Sequence, residues 1–451
     1  MKLVLLTDFG STYTKLTLVD LDSLEVVSTS QSFTTVETNI LDGYIKAYDS
    51  LTIPGEIEEK LACSSAAGGL VVTAIGLVKE LTVEAAKRAA LGAGAKVEYA
   101  YHNYLTDDEL VMIKESDTDI ILLAGGTDGG NTECIIHNAK MIAKHKLEIP
   151  IVLAGNKQTL KEIETLFKDN IYYKKADNVM PEVNKLNVES AKEVIRSIFI
   201  EKITLAKGIK QAEELVDNVI MPTPAAVLSG LELLGKGTKN VEGIGEILCV
   251  DIGGATTDIH SIATGNPTKA GVVFQGLEEA FAKRTVEGDL GMRYSANALY
   301  NAVGDLAFKK YGFNDSYDKV MYRRQNTEYV ADTKDELAFD IAMARICADE
   351  AMTRHVGKVE TVYSPMGSMY LQTGKDLSKI KYIIGTGGVV VNNEGILDSV
   401  LFNNEKVNEL RPEKSKLIID KMYILSSLSL LAQEYPDEAV KMMKKYLLQE
   451  K

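Results

Sequence analysis

Two short stretches carry the residues best suited to handling a phosphate. Asp8-Phe9-Gly10-Ser11-Thr12-Tyr13-Thr14-Lys15 and Asp251-Ile252-Gly253-Gly254-Ala255-Thr256-Thr257-Asp258 share one order of parts: an apolar run, an Asp, an apolar residue, a Gly, then hydroxyl-bearing residues. A glycine lets an anion approach the backbone closely because it has no Cβ. Successive backbone N–H groups at such a turn, joined by hydroxyls, form an anion cradle. An Asp at a strand end holds Mg²⁺ through the ion's water shell. Asp8 and Asp251 are therefore the candidate catalytic and metal-binding carboxylates. Gly10, Ser11, Thr12, Gly253, Gly254, Thr256 and Thr257 are the candidate phosphate ligands. Lys15 either reaches a phosphate or stands as a solvated strand residue.

The residues after each turn decide its class. A Rossmann or P-loop glycine turn opens a helix whose N-terminus faces the phosphates. Here Leu16-Thr17-Leu18-Val19 continues as a strand, so the turn joins two strands of a hairpin. A Gly-x-x-x-x-Gly-Lys-Ser/Thr pattern is absent as well. A third stretch, Ile383-Ile384-Gly385-Thr386-Gly387-Gly388, places a glycine-rich loop after a strand. Such a loop suits a backbone packed flush against a flat ligand such as adenosine, and also serves as a plain tight turn. Coming after two phosphate hairpins, Gly385, Thr386, Gly387 and Gly388 become candidate nucleotide contacts, and ATP the candidate cofactor beside Mg²⁺.

The elements that must position these residues can be read from periodicity. Apolar β-formers predict strands over 3–7, 14–19 and 25–33, then over 119–123 and 149–153, with helices over 82–91 and 159–167. Alternation of this kind predicts an α/β layer with a parallel sheet. A long amphipathic helix is expected over 187–207 with Gly208 as its stop, and Met221-Pro222-Thr223-Pro224 breaks the pattern. A second strand–turn–strand unit spans 246–250 and 259 onward. Then come a helix-rich region over about 277–355, a strand over 381–384 and a helix pair over 415–432 and 436–449. At 451 residues the chain exceeds one core. Two domains are expected, at 1–240 and 241–451, the second with the helical insertion at about 277–355.

Composition narrows the partners. A formal charge of −14 spread along the chain gives no general attraction to nucleic acid or anionic membrane. No segment reaches the roughly 20 apolar residues of a membrane span, and the N-terminus lacks a secretory signal pattern. Cys63, Cys134, Cys249 and Cys347 are scattered, which predicts reduced, partly buried thiols and no zinc site. Together these features predict a cytoplasmic protein. The five histidines show no ligand spacing.

The hairpin pair with the glycine loop resembles the actin-like ATPase superfamily of sugar kinases, actin and heat-shock chaperone ATPases. Its phosphate-one, phosphate-two and adenosine motifs fall on residues 8–15, 251–258 and 385–388. That resemblance implies a two-lobed α/β, ribonuclease H-like fold with the nucleotide in the inter-lobe cleft, and strand-end carboxylates serving Mg²⁺ and the attacking water or hydroxyl. A narrower resemblance covers most of the chain. The stretch at 8–15, Thr34-Thr35-Val36-Glu37-Thr38, Cys63-Ser64-Ser65-Ala66-Ala67-Gly68-Gly69-Leu70, Gly125-Gly126-Thr127-Asp128-Gly129-Gly130-Asn131 and Thr285-Val286-Glu287-Gly288-Asp289-Leu290-Gly291 resemble the glutamate mutase accessory family known as MutL or GlmL. It is unrelated to the DNA mismatch-repair protein of that name.

Membership implies an ATP-dependent reactivating chaperone that releases damaged cobalamin from an adenosylcobalamin-dependent mutase or aminomutase. The phosphate and adenosine motifs also fit a small-molecule kinase of the same superfamily. A cobalamin-binding module is disfavoured, because an Asp-x-His-x-x-Gly loop is absent. Glu287 is a candidate water-orienting carboxylate or outer Mg²⁺ ligand, or else a solvated loop acid. Asp128 either faces a ligand or belongs to a tight small-residue turn.

Overall fold

The computed structural model describes residues 1–449 apart from 11–12, 35–39, 66–69, 169, 206–217 and 365–366. Ser11 and Thr12 therefore lie outside the described residues, as do 35–38 and 66–69 of the family-like stretches and the proposed helix stop Gly208. The chain forms two compact units, residues 1–230 with 426–438 and residues 231–425 with 439–451. The boundary expected near 240 thus lies ten residues earlier, and a C-terminal segment returns to the first unit.

The first unit contains two sheets. One is built from β1 (Leu3–Phe9), β2 (Tyr13–Asp20), β3 (Glu25–Phe33), β4 (Ile57–Ser64) and β10 (Asn218–Pro222), in the order β10-β4-β1-β2-β3. β1, β2 and β3 run antiparallel in sequence, while β4 joins β1 in parallel and β10 joins β4 in parallel. β1 is apolar on both faces, and all seven of its residues are buried. That is the signature of a central strand covered on each side. Helix α1 (Ile40–Asp49) covers the β2–β3 side.

The strands of the second sheet are β5 (Val71–Gly76), β6 (Lys96–His102), β7 (Ile120–Leu123), β8 (Ile151–Leu153) and β9 (Tyr173–Lys175). This sheet is wholly parallel, with order β6-β5-β7-β8-β9. Helices α2 (Glu84–Gly92), α3 (Asp107–Glu115), α4 (Glu133–His145), α5 (Leu160–Phe167) and α6 (Glu189–Leu205) alternate with its strands or come after them. This is the doubly wound arrangement that the alternation predicts. Ile75, Ile121, Leu123, Ile135, Leu153 and Phe167 lie in its core.

The second unit repeats the first sheet's plan. It uses β11 (Ile247–Ile252), β12 (Thr257–Ile262), β14 (Ala282–Glu287), β17 (Tyr382–Thr386) and β18 (Lys416–Ile419), in the order β14-β12-β11-β17-β18. β11, β12 and β14 are antiparallel, and β17 and β18 extend β11 in parallel. Two sheets of one mixed topology, each beginning with a hairpin, are the ribonuclease H-like pair of the actin-like fold. A small sheet of β13 (Val272–Phe274), β15 (Lys358–Ser364) and β16 (Gly367–Thr373) is added.

Helix α7 (Thr223–Lys236) spans the boundary between units. The expected helical region holds α8 (Ala296–Lys309), α9 (Tyr317–Gln325) and the 22-residue α10 (Lys334–His355), whose Phe339, Met343, Cys347 and Ala351 pack into the core beneath β11 and β12. α11 (Gly388–Val391), α12 (Leu425–Leu431) and α13 (Pro436–Leu448) complete the chain.

One expected helix is corrected. Residues 415–432 form a strand, β18, then a break at Asp420, then the short α12. Lys416-Leu417-Ile418-Ile419 is too short for periodicity to separate strand from helix, and pairing with β17 decides it. The Met-Pro-Thr-Pro break is likewise the end of β10 and the start of α7. Pro222 is tolerated because β10 is an edge strand, where a missing N–H costs no ladder bond.

Candidate functional site

Each mixed sheet ends in the same turn. In the first unit the Gly10 N–H donates to Tyr13 O at 3.1 Å, and in the second the Gly253 N–H donates to Thr256 O at 2.9 Å. The Asp two residues before each glycine closes its strand. Asp8 stands opposite Lys15 on β2 and beside Cys63 on β4; Asp251 stands opposite Asp258 on β12 and beside Thr386 on β17. The two stretches that share a pattern in sequence therefore share a register in space.

In the first unit Asp8 is buried at the strand end. The Thr223 hydroxyl donates to its Oδ1 at 2.7 Å, and the Cys63 thiol lies 3.7 Å from the same oxygen. Burial and the neighbouring carboxylate push the Cys63 thiol well up, so it is a neutral packing group and not a nucleophile. A Cβ on Gly10 would lie 2.6 Å from Tyr13 O, so the turn closes only around a glycine. Tyr13 stacks on Phe33 at 4.6 Å, which ties the tip of the hairpin to β3.

In the second unit Asp251 is half-buried and faces Asp258 across the strand pair. Two carboxylates in that relation repel. Arg284 of β14 relieves the repulsion by donating to Asp258 Oδ2 from Nε at 3.2 Å and Nη2 at 2.7 Å. His260, next along the same face, is fully enclosed. Burial and the Arg284 charge push its pKa down to about 3, so it is a neutral imidazole.

The Thr285–Gly291 stretch has a structural role that sequence alone did not supply: it backs the turn at residues 253–256. Met292 and Arg293 donate N–H bonds to Gly253 O and Gly254 O at 3.0 and 2.8 Å, and the Thr257 hydroxyl donates to Leu290 O at 2.7 Å. A Cβ on Gly291 would meet the Ala255 backbone at 2.6 Å. Arg293 continues to Asp340 of α10, which also binds the buried Arg323, so the helical region is fastened to the turn.

Two expected site residues are corrected by register. Glu287 pairs with Thr257, which pairs with Ile252, so alternation puts both on the face opposite Asp251. Arg354 of α10 takes the Glu287 carboxylate at 2.7 Å and Asp289 at 2.6 and 2.8 Å. Burial raises the Glu287 pKa against the pull of Arg354, whereas the Arg354 bonds hold Asp289 below the usual range. Glu287 is thus an ion-pair anchor beneath the turn and not a water-orienting carboxylate. Thr257 is buried with its hydroxyl committed to Leu290, which leaves Thr256 as the half-buried hydroxyl of that turn.

The expectation for the loop at residues 385–388 is also sharpened. A Cβ on Gly385 would collide with Val390 and Leu397 at 2.7 to 2.9 Å, and one on Gly387 (φ +101°) would sit 2.3 Å from Ile252 O. Both glycines answer to internal packing. Gly388, whose Cβ would find only Tyr423 Oη at 4.0 Å, is the open one. Thr386 Oγ1 lies 3.5 Å from Asp420 Oδ2, an acid at the end of the strand that periodicity missed.

Comparison with known proteins narrows the assignment. Residues 4–447 match the sequence profile of the family described as MutL protein. The chain is 52% identical over 460 residues to Protein MutL of Clostridium tetanomorphum, an alignment covering 99% of this chain and 100% of that protein. The chain belongs to the MutL protein family. Among solved structures it has a distant likeness to the activator of the 2-hydroxyisocaproyl-CoA dehydratase from Clostridium difficile with bound ADPNP (TM-score 0.33, 9% identity, 98% of this chain and 97% of that one). Another is a ROK family glucokinase from Streptomyces griseus in complex with glucose and AMPPNP (TM-score 0.32, 12% identity, 95% and 97%).

In this MutL-family chain the other family-like stretch within the described residues, 125–131, forms a closed loop. Asp128 accepts from Lys157 N and Asn178 Nδ2, both at 3.1 Å, and lies 3.3 Å from Lys157 Nζ. It joins the ends of β7, β8 and β9, which is the tight-turn alternative. All four cysteines are free and buried. Among the described residues no helix is long and apolar enough to cross a membrane.

Proposed function

We propose that this MutL-family chain is a cytoplasmic ATPase that reactivates an adenosylcobalamin-dependent mutase or aminomutase by releasing damaged cobalamin. The observation that carries the nucleotide part is the recurrence, in two sheets of identical order, of a strand-end Asp followed by the same glycine-closed turn. Gly10 and Gly253 bring backbone close to a phosphate, Thr256 adds a hydroxyl, Lys15 shares Asp8's row, and the open Gly388 accommodates the base or ribose.

The residues fit Mg²⁺. Among the described residues no cluster of His, Cys, Asp or Glu could enclose a metal unaided. Mg²⁺ does not ask for one, since it keeps several waters and takes one or two carboxylates beside substrate phosphates. Asp8 and Asp251 would hold it, and the ion would neutralise phosphate charge during hydrolysis. Asp8 keeps its orientation through Thr223, and the turn at residues 253–256 keeps its shape through the bonds from Met292 and Arg293. Hydrolysis then resets the conformation that engages the client protein.

The test is ATP hydrolysis with and without Mg²⁺, together with recovery of a mutase inactivated by damaged cobalamin. Slow hydrolysis that is indifferent to sugars, with ATP-dependent recovery, is expected. Asp8→Ala and Asp251→Ala should each abolish both activities. Rapid phosphate transfer to a metabolite without any effect on the mutase would establish the kinase alternative instead.

A further inference from the structure

Gln372 of β16 is fully buried, and its Nε2 donates to Gly265 O and Gly374 O, both at 2.8 Å. These two carbonyls fix the amide's orientation, because a flipped amide would set its oxygen against both. Oε1 is enclosed and has no hydrogen-bond donor among the described residues. An unpaired buried acceptor costs free energy, and in native proteins it generally marks a water, ion or ligand that completes it. Register shows where the side chain is aimed. Gln372 pairs with Val359 of β15, and Tyr370, two residues earlier, pairs with Val272 of β13. Opposed residues share a face, as do residues two apart, so Gln372, Val359, Tyr370 and Val272 lie on one side of the small sheet. Gln372, Val359 and Val272 line a single cavity of about 60 Å³. One bridging water needs only about 10–15 Å³, so the cavity has room for more than the water that would satisfy Oε1.

The other lining groups select the ligand's charge. Arg411 is buried there, but its five N–H groups are taken by Glu409, Asp349 twice, Ser399 and Thr353. Lys269, the other cation of the lining, is exposed at the rim. Burial works against charge on Asp376, yet bonds from Ser378 and Thr268 hold its carboxyl below the usual range. The Lys379 bond does the same for Glu413. One Glu409 oxygen meets Lys358 Nζ at 4.0 Å, beyond hydrogen-bond reach. An anion would meet acceptors and a saturated arginine. An ammonium would supply the missing donor, with negative charge around it. Outward, the same face continues to Tyr370 and Tyr363, 47% and 83% exposed, and the cavity's far wall carries the exposed Phe402 and Val407. A free amine would leave this apolar rim in water, whereas a side chain standing on a protein surface brings a cover for it.

We propose that this cavity receives a lysine side chain of a partner protein, whose ammonium donates to Gln372 Oε1 while its apolar surroundings cover Tyr363, Tyr370, Phe402 and Val407. The site stands apart from the nucleotide reading. Asp376 and Ser378 lead into the start of β17, and Thr386 at the far end of that strand is the residue beside Asp251. A partner held at the cavity therefore leaves the Asp251 end of the sheet uncovered.

The test is methyl NMR on the full chain labelled at valine, with Val272 and Val359 assigned through isoleucine variants. The probes are the peptide acetyl-Tyr-Val-Lys-Val-Tyr-amide, the same peptide with norleucine or glutamate in place of lysine, and butylammonium chloride. The lysine peptide should shift both methyls saturably, at concentrations about tenfold lower than butylammonium, the effect of burying one apolar side chain at the rim. The norleucine and glutamate peptides should not shift them. Gln372→Leu should weaken the lysine peptide about tenfold or more, by removing an acceptor for a charged donor. Glu413→Gln should weaken it about two- to fivefold, as expected for an exposed charge. Val359→Phe, which fills the cavity, should abolish the shift at Val272, and thermal unfolding of each variant checks its fold. If Gln372→Leu does not fold, Val359→Phe still decides. Equal binding of the norleucine peptide, or wild-type binding by a folded Val359→Phe, would overturn the inference. Butylammonium binding as tightly as the peptide would make this a site for free amines and overturn the protein partner. No shift with any probe would mean that the cavity holds ordered water only, and the inference would be wrong.

Discussion

Arg354→Met is the sharpest test of how the turn at residues 253–256 is supported. Methionine keeps the apolar stem and removes the guanidinium that joins Glu287 and Asp289. Breaking a fully buried ion pair costs about 3–5 kcal/mol, and an exposed one contributes about 0–1. Here the Glu287 side chain is 13% exposed and that of Arg354 35%, so the expected loss at neutral pH lies between these, at about 2 kcal/mol.

The pH dependence gives the prediction its direction. Burial already raises Glu287 above its ordinary value of 4.5, and removing Arg354 raises it further. A folded-state acid with a raised pKa penalises folding above that pKa, and the penalty vanishes as pH falls to 4.5 and below. Asp289 is held below 3.8 by Arg354, so the stability it contributes above that value is also lost in the variant. Both effects make the deficit largest at neutral pH and smaller on acidification. Urea unfolding at about pH 7 and about pH 5 measures it. Adding Glu287→Gln to Arg354→Met should recover roughly half of the loss, because the stranded buried charge is gone. An equal deficit at both pH values, or no recovery in the Arg354→Met/Glu287→Gln double variant, would refute the ion-pair account of Glu287.

Two further outcomes rest on the same geometry. Gly10→Ala should weaken nucleotide retention by about tenfold or more, because its Cβ would sit 2.6 Å from a backbone carbonyl and the turn must open, costing about 2 kcal/mol. The matched Gly253→Ala, at 3.2 Å from Thr256 O, should cost less than about 1 kcal/mol, and fluorescent-nucleotide titration compares the two. His260→Asn should flatten the acid dependence of stability. Buried His260 titrates at about 3 when folded but near 6.5 when unfolded, so wild-type stability falls as pH drops through that window, by up to about 1.4 kcal/mol per unit. Urea midpoints at about pH 7 and about pH 5 should show the smaller drop in the variant.

Much of the framework was legible in the chain. β3 matches its expected bounds, and the first two strands and both Asp–Gly hairpins were marked by apolar runs ending in Asp and Gly. The failures were short elements or contacts made across strands. β18 is four residues long, so it merged in the sequence with the helix after it, and Asp420 at its end went unseen. Thr223 was hidden in what reads as a proline break, because its partner Asp8 is 215 residues away.

The sequence by itself determined that two Asp–Gly–hydroxyl turns recur and that each joins two strands. Residue order dictates local backbone, and a glycine that must admit a carbonyl leaves a mark at a fixed spacing. Only tertiary structure decided which acids share a face. Glu287 looked like a companion of Asp251, yet strand alternation turns it to the opposite side and into Arg354. Asp258 looked like the tail of a motif, yet pairing sets it directly against Asp251 with Arg284 behind it. Strand register is fixed by the packing of a whole sheet on its core, and no local stretch of sequence contains that information.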